Sequence, residues 1–277
     1  MLEFLRTKIR KPEVVTTSGQ PTNNSSLGAA LLNYIQKGFP IAPRWSIISC
    51  VILLALFVFV GVSAASGAPW TVDFNAAVAG FIQSWRSPEL TGIMQGLSFI
   101  GSEVATAFIV LVILVVMAVK RHWDDFIYVL GNFVVVEALL LAGKFLFCVT
   151  RPQDQAIIEL PDSFSYPSGH TGCSMIAALL IAMLLVVWLR KKGAPQWVTP
   201  VATFVLVLVA LAVAASRVYL GVHWGTDLVG GWCVALGWGL PTFAWFVKQY
   251  PASRFDDDYD PYGVKAIKEK QSKEDRQ

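Results

Sequence analysis

Apolar residues in this chain are collected into long uninterrupted runs rather than spread at helical or strand spacing. The first is "WSIISCVILLALFVFVGVSAA" at 45–65 and the second "EVATAFIVLVILVVMAVK" at 103–120, the latter preceded by a half-apolar segment at 73–100. Further runs occupy about 124–147, 171–189, 197–215 and 225–247. Runs of 18 or more residues with few charges are long enough to cross the hydrocarbon core of a bilayer. The pattern therefore predicts an all-α polytopic membrane protein, a bundle of six transmembrane helices over 45–247. A polar tail at 1–44 precedes the bundle and a charged tail at 248–277 follows it. Within the first tail, "SLGAALLNYIQK" at 26–37 has helically spaced apolar residues after Ser caps. A short helix lying on the membrane surface is expected there. The faint cleavage-like "SAASGA" at 63–68 follows too long a polar stretch for a secretory leader, so the first run reads as a signal anchor.

Composition agrees. Of 277 residues 55% are hydrophobic and 15% charged, where a soluble domain has about a quarter charged. The basic residues set the orientation. Arg6, Lys8, Arg10, Lys11, Lys37 and Arg44 place the N-terminal tail in the cytoplasm, and six alternating spans return the C-terminal tail there. Lys120–Arg121 and Arg190–Lys191–Lys192 then also fall inside, which accounts for 18 of the 22 basic residues. Trp45, Trp123, Trp188, Trp197 and Trp245 sit near inner boundaries and Trp70 and Trp224 near outer ones, as an aromatic belt requires. The exceptions are Arg86, Lys144, Arg151 and Arg217. Cations at the outer ends of spans, with few acidic residues beside them, imply that an anion is bound there.

Three stretches share this outer face: "KFLFCVTRP" from Lys144 to Pro152, "YPSGH" ending at His170, and "SRVYLGVHWGTD" from Ser216 to Asp227. Each alone has an ordinary reading, as a helix stop, a turn and a helical pair. Lys144 and Arg151 are seven apart, two helical turns, and so can point to one side. His170 and His223 lie on this face, whereas His122 falls at a cytoplasmic boundary. Arg and Lys suit the oxygens of a phosphoryl group. A helix start at Ser168 and Gly169 adds N–H groups and the positive end of the dipole. Two histidines supply a nucleophile and a proton donor, and an Asp one turn after a His holds one ring nitrogen so that the other carries the lone pair. The four cysteines are scattered and read as packing residues, with a Cys148–Cys173 disulfide as a minor alternative. Neither cysteines nor carboxylates cluster with metal-ligand spacing, so a metal-free, cofactor-free mechanism is expected.

Together the stretches resemble the three-part signature of the type 2 phosphatidic acid phosphatase superfamily: K-x6-RP in Lys144…Arg151–Pro152, PSGH in Pro167–Ser168–Gly169–His170, and SR-x5-H-x3-D in Ser216–Arg217…His223…Asp227. The likeness is nearest to its bacterial membrane branch, such as phosphatidylglycerophosphatase B and undecaprenyl-diphosphate phosphatases, and it excludes the tails. It implies that His223 attacks phosphorus while Asp227 orients it, and that His170 protonates the leaving group and then activates water. It implies that Lys144, Arg151, Ser168, Gly169 and Arg217 hold the phosphoryl oxygens. The expected partners are the bilayer and a membrane lipid phosphate, with undecaprenyl diphosphate first and phosphatidylglycerophosphate or phosphatidate next, and no nucleic acid. A lipid-to-acceptor phosphotransferase and a non-catalytic lipid-binding or transport protein of the same fold are the alternatives. Two features stay open at this level. Glu137, mid-span, takes either a functional role or a structural one with Asn132 or a neighbouring span. The loop at 153–166 either guides a lipid chain with Ile157, Ile158, Leu160 and Phe164 or is merely anchored by them.

Overall fold

A computed structural model of the chain describes residues 44–191, 195 and 197–249; the two tails, including the surface helix expected over 26–37, lie outside these. Eight helices and no strand occur among the described residues: α1 (Arg44–Ala65), α2 (Pro69–Gln83), α3 (Pro88–Ile100), α4 (Glu103–Val119), α5 (Trp123–Phe147), α6 (Gly169–Lys191), α7 (Val198–Tyr219) and α8 (Gly225–Gln249). Each run expected to span corresponds to a helix, and the half-apolar segment at 73–100 resolves into the two short helices α2 and α3. Their starts are written in the sequence. Pro69 and Pro88 stand in the first turns, where a missing N–H costs nothing. Ser87 and Ser102 cap α3 and α4 by accepting from Leu90 N and Ala105 N.

Among the described residues, α1, α5 and α7 are long and apolar enough to cross a membrane; a fourth span results if α3 and α4, bent by 48° at their junction, count as one. Helices α6 and α8 have 23 and 25 residues, about 35 Å or more at the rise of an α-helix. They form the middle of the bundle: α6 packs on α4, α5, α7 and α8, and α8 also packs on α1 and α2. Val129, Val136 and Leu140 of α5, Cys173 and Ile176 of α6, and Cys233 and Val234 of α8 make the shared core. The outer faces are as apolar as the inside. Phe59 of α1, Phe108 and Val115 of α4, and Phe204 of α7 are exposed. Such a surface fits hydrocarbon, not water.

Two polar side chains of α5 inside the bundle find partners on neighbouring helices. Glu137 of α5 accepts from Cys173 Sγ of α6 at 2.8 Å, so its partner is a neighbouring helix. Asn132 pairs instead with Thr242 of α8 through Oδ1 and with its own helix at Tyr128 O. This contact also removes the disulfide alternative, because Cys173 is buried, Cys148 is exposed, and both are free thiols.

The end that carries the motifs is closed by tertiary hydrogen bonds. Arg86, between α2 and α3, donates to Tyr219 O through Nε at 2.9 Å and through Nη2 at 2.7 Å, and also to Gln155 O at 2.8 Å. It therefore satisfies carbonyls at the end of α7 and ties down the 153–158 segment. It is a structural clamp, unlike the three other exceptional cations. Ile157 N donates to Leu220 O, and Ile158 and Leu160 pack on Tyr219, Leu220 and Val222. These two side chains anchor the loop, while Ile157 and Phe164 remain exposed.

Candidate active site

Three chain reversals bring the motif residues together. Helix α5 stops at Phe147 because Cys148 turns into the left-handed region, at φ 51° and ψ 35°, and the residue before Pro152 disfavours helix. Arg151 therefore does not continue the helical face of Lys144. The two-turn argument from spacing is corrected: Lys144 ends a helix, and Arg151 arrives on a non-helical segment. Ser168 opens α6, its Oγ accepting from Thr171 Oγ1 at 3.0 Å and Thr171 N at 3.4 Å. Gly221 makes the turn after α7 at φ +76°, where any side chain would also collide with Gln155 O. That turn delivers His223 immediately before α8.

At the centre, His223 is 2% exposed. Its Nδ1 lies 3.0 Å from Asp227 Oδ2, one helical turn on. Asp227 Oδ2 also accepts from Trp224 N at 2.8 Å and from Ser165 Oγ in a short hydrogen bond. An ionised carboxylate only accepts, so the ring proton belongs on Nδ1. Nε2 is then left with its lone pair, 3.1 Å from Arg151 Nη1, which donates to it. Burial, reinforced by Arg151, Arg217 and Lys144, holds the His223 imidazole well below its ordinary range. The ring is a neutral base at physiological pH.

Cations surround this nitrogen without carboxylate partners. Lys144 Nζ donates to Phe164 O at 2.9 Å. Arg151 donates to Ser163 O and Val222 O, each at 2.7 Å, and to Ser163 Oγ at 3.0 Å. Arg217 Nη1 donates to Ser98 Oγ, and its Nε is buried with no acceptor. Among the described residues, none of the three has a carboxylate oxygen within 4.0 Å. Burial pushes the Arg151 guanidinium down from its usual value, with Asp227 and Glu103 opposing; it stays charged. Gly169 and His170 head α6 with N–H groups that have no acceptor among the described residues. Burial, then Arg217, His223, Lys144 and Arg151, hold the His170 imidazole below its usual value, an effect that a bound anion opposes.

All eight residues singled out in the sequence thus converge on one end of the bundle. His122 does not: it precedes α5 at the other end of that helix, 3.8 Å from Asp125. Ser216 turns back to Val213 O at 2.6 Å and serves its own helix. Sequence reasoning missed Ser165, which binds the Asp227–His223 pair, and Ser163 and Ser98, which hold the two arginines. Ser163 and Ser165 lie in a loop and Ser98 within α3, and single serines in either setting carry no signal of this kind, since the arginines that Ser163 and Ser98 hold are 12 and 119 residues away. Tyr166, next to Ser165 and joined to Pro167 by a cis peptide, is fully buried and donates to Phe57 O at 2.6 Å. Burial pushes its phenol up, so it is a permanent neutral donor that pins the loop to α1.

A neutral imidazole in contact with Arg151, in the field of Arg217 and Lys144 and beside a helix start, in a helical bundle with an apolar outer surface, is an arrangement suited to a phosphoryl group. The chain belongs to the PAP2 superfamily, whose family model matches residues 126–251. It is 31% identical over 157 residues to phosphatidylglycerophosphatase B of Bacillus subtilis, covering 54% of this chain and 72% of that one. It is 28% identical over 187 residues to an undecaprenyl-diphosphatase of Sulfolobus acidocaldarius, covering 65% and 83%. A decaprenylphosphoryl-5-phosphoribose phosphatase of Mycobacterium tuberculosis is 29% identical over 153 residues, covering 54% and 76%. The fold is similar to the crystal structure of the transmembrane PAP2-type phosphatidylglycerolphosphate phosphatase from Bacillus subtilis, with a TM-score of 0.61, 25% identity, and coverage of 73% of this chain and 96% of that one.

Proposed function

We propose that this protein hydrolyses a phosphomonoester or diphosphate of a membrane lipid through a phosphohistidine formed on His223. The observation that carries the reading is the His223 Nε2 lone pair, 3.1 Å from Arg151 and in the field of Arg217 and Lys144, three cations that form no ion pair with a carboxylate among the described residues. In the first step Nε2 attacks phosphorus and the bond from phosphorus to the leaving oxygen breaks; His170, whose ring gains a proton as the negative charge of the phosphoryl group arrives among the cations, gives that oxygen its proton. Asp227 stabilises the imidazolium-like ring as positive charge develops. In the second step His170 removes a proton from water, the water oxygen attacks phosphorus, and the P–N bond breaks to release phosphate and free His223. Lys144, Arg151, Ser168, Gly169 and Arg217 hold the phosphoryl oxygens and stabilise the transition state. These donors suffice for the charge, so the reaction is metal-independent and needs no cofactor.

A cleft of about 460 Å³ is lined by Lys144 and Arg151 together with the apolar side chains of Leu141, Phe145 and Phe164. Leu141 and Phe145 are exposed on the outer face of the bundle, where they meet a lipid chain while its phosphate reaches the cations. Undecaprenyl diphosphate is the first choice of substrate, and two of the three relatives above are named for polyprenyl substrates. Phosphatidylglycerophosphate and phosphatidate follow. Six spans, one bundle over 45–247 and both tails in the cytoplasm put the site on the extracytoplasmic side of a cell membrane, in keeping with the basic residues along the chain.

The test is phosphate release by the purified protein from prenyl diphosphates, phosphatidylglycerophosphate and phosphatidate, with EDTA present. Release from at least one lipid, unaffected by EDTA, is expected. Loss of activity with EDTA counts against the histidine mechanism. Transfer of the phosphoryl group to an added sugar or lipid, in place of release to water, would make the protein a phosphotransferase.

A further inference from the structure

Glu103 lies outside the three motifs, yet its carboxylate faces the start of α6. A side-chain carbon on Gly169 would collide with Glu103 Oε1 and stand 2.7 Å from Cδ. The neighbouring N–H groups of Gly169 and His170, where a helix attracts anions, have no acceptor of their own among the described residues. Glu103 acts electrostatically on Lys144, Arg151 and Arg217, while none of these cations contacts it within 4.0 Å. The side chain is exposed and begins α4 directly after the Ser102 cap. A fixed negative charge therefore stands at the rim of an anion cradle, close enough to oppose an occupant and too far to neutralise the cations.

We propose that Glu103 is a specificity-determining residue that keeps free orthophosphate from occupying the cradle. The inference rests on the phosphatase reading above. Like charges a few ångströms apart repel strongly even near a protein surface, and the exposure of Glu103 tempers the effect. The penalty falls on substrate and product alike. A lipid phosphate offsets it with its hydrocarbon chain and its confinement to the bilayer, whereas orthophosphate has neither. Glu103 thus speeds clearance of the product after the P–N bond is hydrolysed. A carboxylate serving only the N-terminus of α4 would leave phosphate affinity untouched, and the experiment reads that difference.

Orthophosphate binding is measured by calorimetry on the full-length protein in detergent, together with orthophosphate inhibition of lipid phosphate hydrolysis. Glu103→Gln should bind orthophosphate about tenfold more tightly and be inhibited correspondingly more strongly. Glu103→Asp, which keeps the charge, should stay within about threefold of the wild type. Unchanged or weaker binding in Glu103→Gln overturns the proposal. Arg217→Gln separates the two levels of inference: if it weakens orthophosphate binding while Glu103→Gln changes nothing, the phosphatase reading stands and the role of Glu103 falls. No orthophosphate binding by either wild type or Glu103→Gln sinks both.

Discussion

Ser165 shows what a single side chain adds to this site. Its hydroxyl binds Asp227 Oδ2 and lies 3.4 Å from His223 Nδ1, so it fixes the carboxylate that fixes the ring. Ser165→Ala should lower kcat about tenfold with little change in KM, since it misorients the nucleophile without touching the cations; steady-state kinetics on the best lipid phosphate would show this split. His223 also links the site to pH. Its imidazole, held well below the ordinary value by burial and then by Arg151, Arg217 and Lys144, refuses a proton that the unfolded chain accepts below about pH 6.5. Its contribution to stability is complete above that pH and is lost as pH falls. The apparent Tm should drop between about pH 7 and 5, and His223→Gln should reduce this dependence while leaving the part contributed by His170, which burial and the same cations also hold down. At this scale the motif letters were legible in the sequence, because phosphoryl chemistry demands Lys, Arg, His and Asp. The serines were not, because a serine is functional only through the partner that folding brings to it. The placement of Arg151 was misread for a related reason. Counting seven residues assumes a continuous helix, and the left-handed turn at Cys148 breaks it.

Between elements, the decisive features are the reversals and the clamps across them. Arg86 offers three hydrogen bonds to carbonyls at the end of α7 and in the 153–158 segment. Arg86→Ala should cost about 2 kcal/mol, seen as a lower apparent Tm in thermal unfolding, and should raise KM by loosening the 153–166 loop, whose later part bears Ser163. Gly221→Ala should be more severe, because φ +76° and the collision with Gln155 O leave no room for a methyl group; little folded protein is expected from purification. Helix positions were readable from the apolar runs. The 48° bend between α3 and α4 was not, since a half-apolar stretch followed by an apolar one reads equally well as loop and span. The anchoring of the 153–166 loop was likewise open until Ile158 and Leu160 were seen against Leu220 and Val222.

For the whole molecule, the proposed arrangement has both tails in the cytoplasm and the site facing outward, in keeping with the basic residues along the chain. Cys148 is an exposed thiol at the site end of α5, and it offers a direct check. In a variant with Cys50, Cys173 and Cys233 replaced by Ala, a membrane-impermeant maleimide should label Cys148 in intact cells; labelling only after lysis would reverse the orientation. The membrane class was visible from composition because a bilayer imposes length and apolarity on its spans. Which helices form the centre was not, since α6 and α8 differ from the others in their neighbours more than in their letters. The central claim is that a lipid phosphate passes through a covalent bond to His223. It is tested most directly by quenching turnover of a lipid labelled with ³²P in its phosphate and mapping the labelled residue. The account predicts an acid-labile, base-stable label on His223 in the wild type, with both label and phosphate release absent from a folded His223→Ala protein. A His223→Ala protein that keeps more than a few per cent of the wild-type turnover would contradict it.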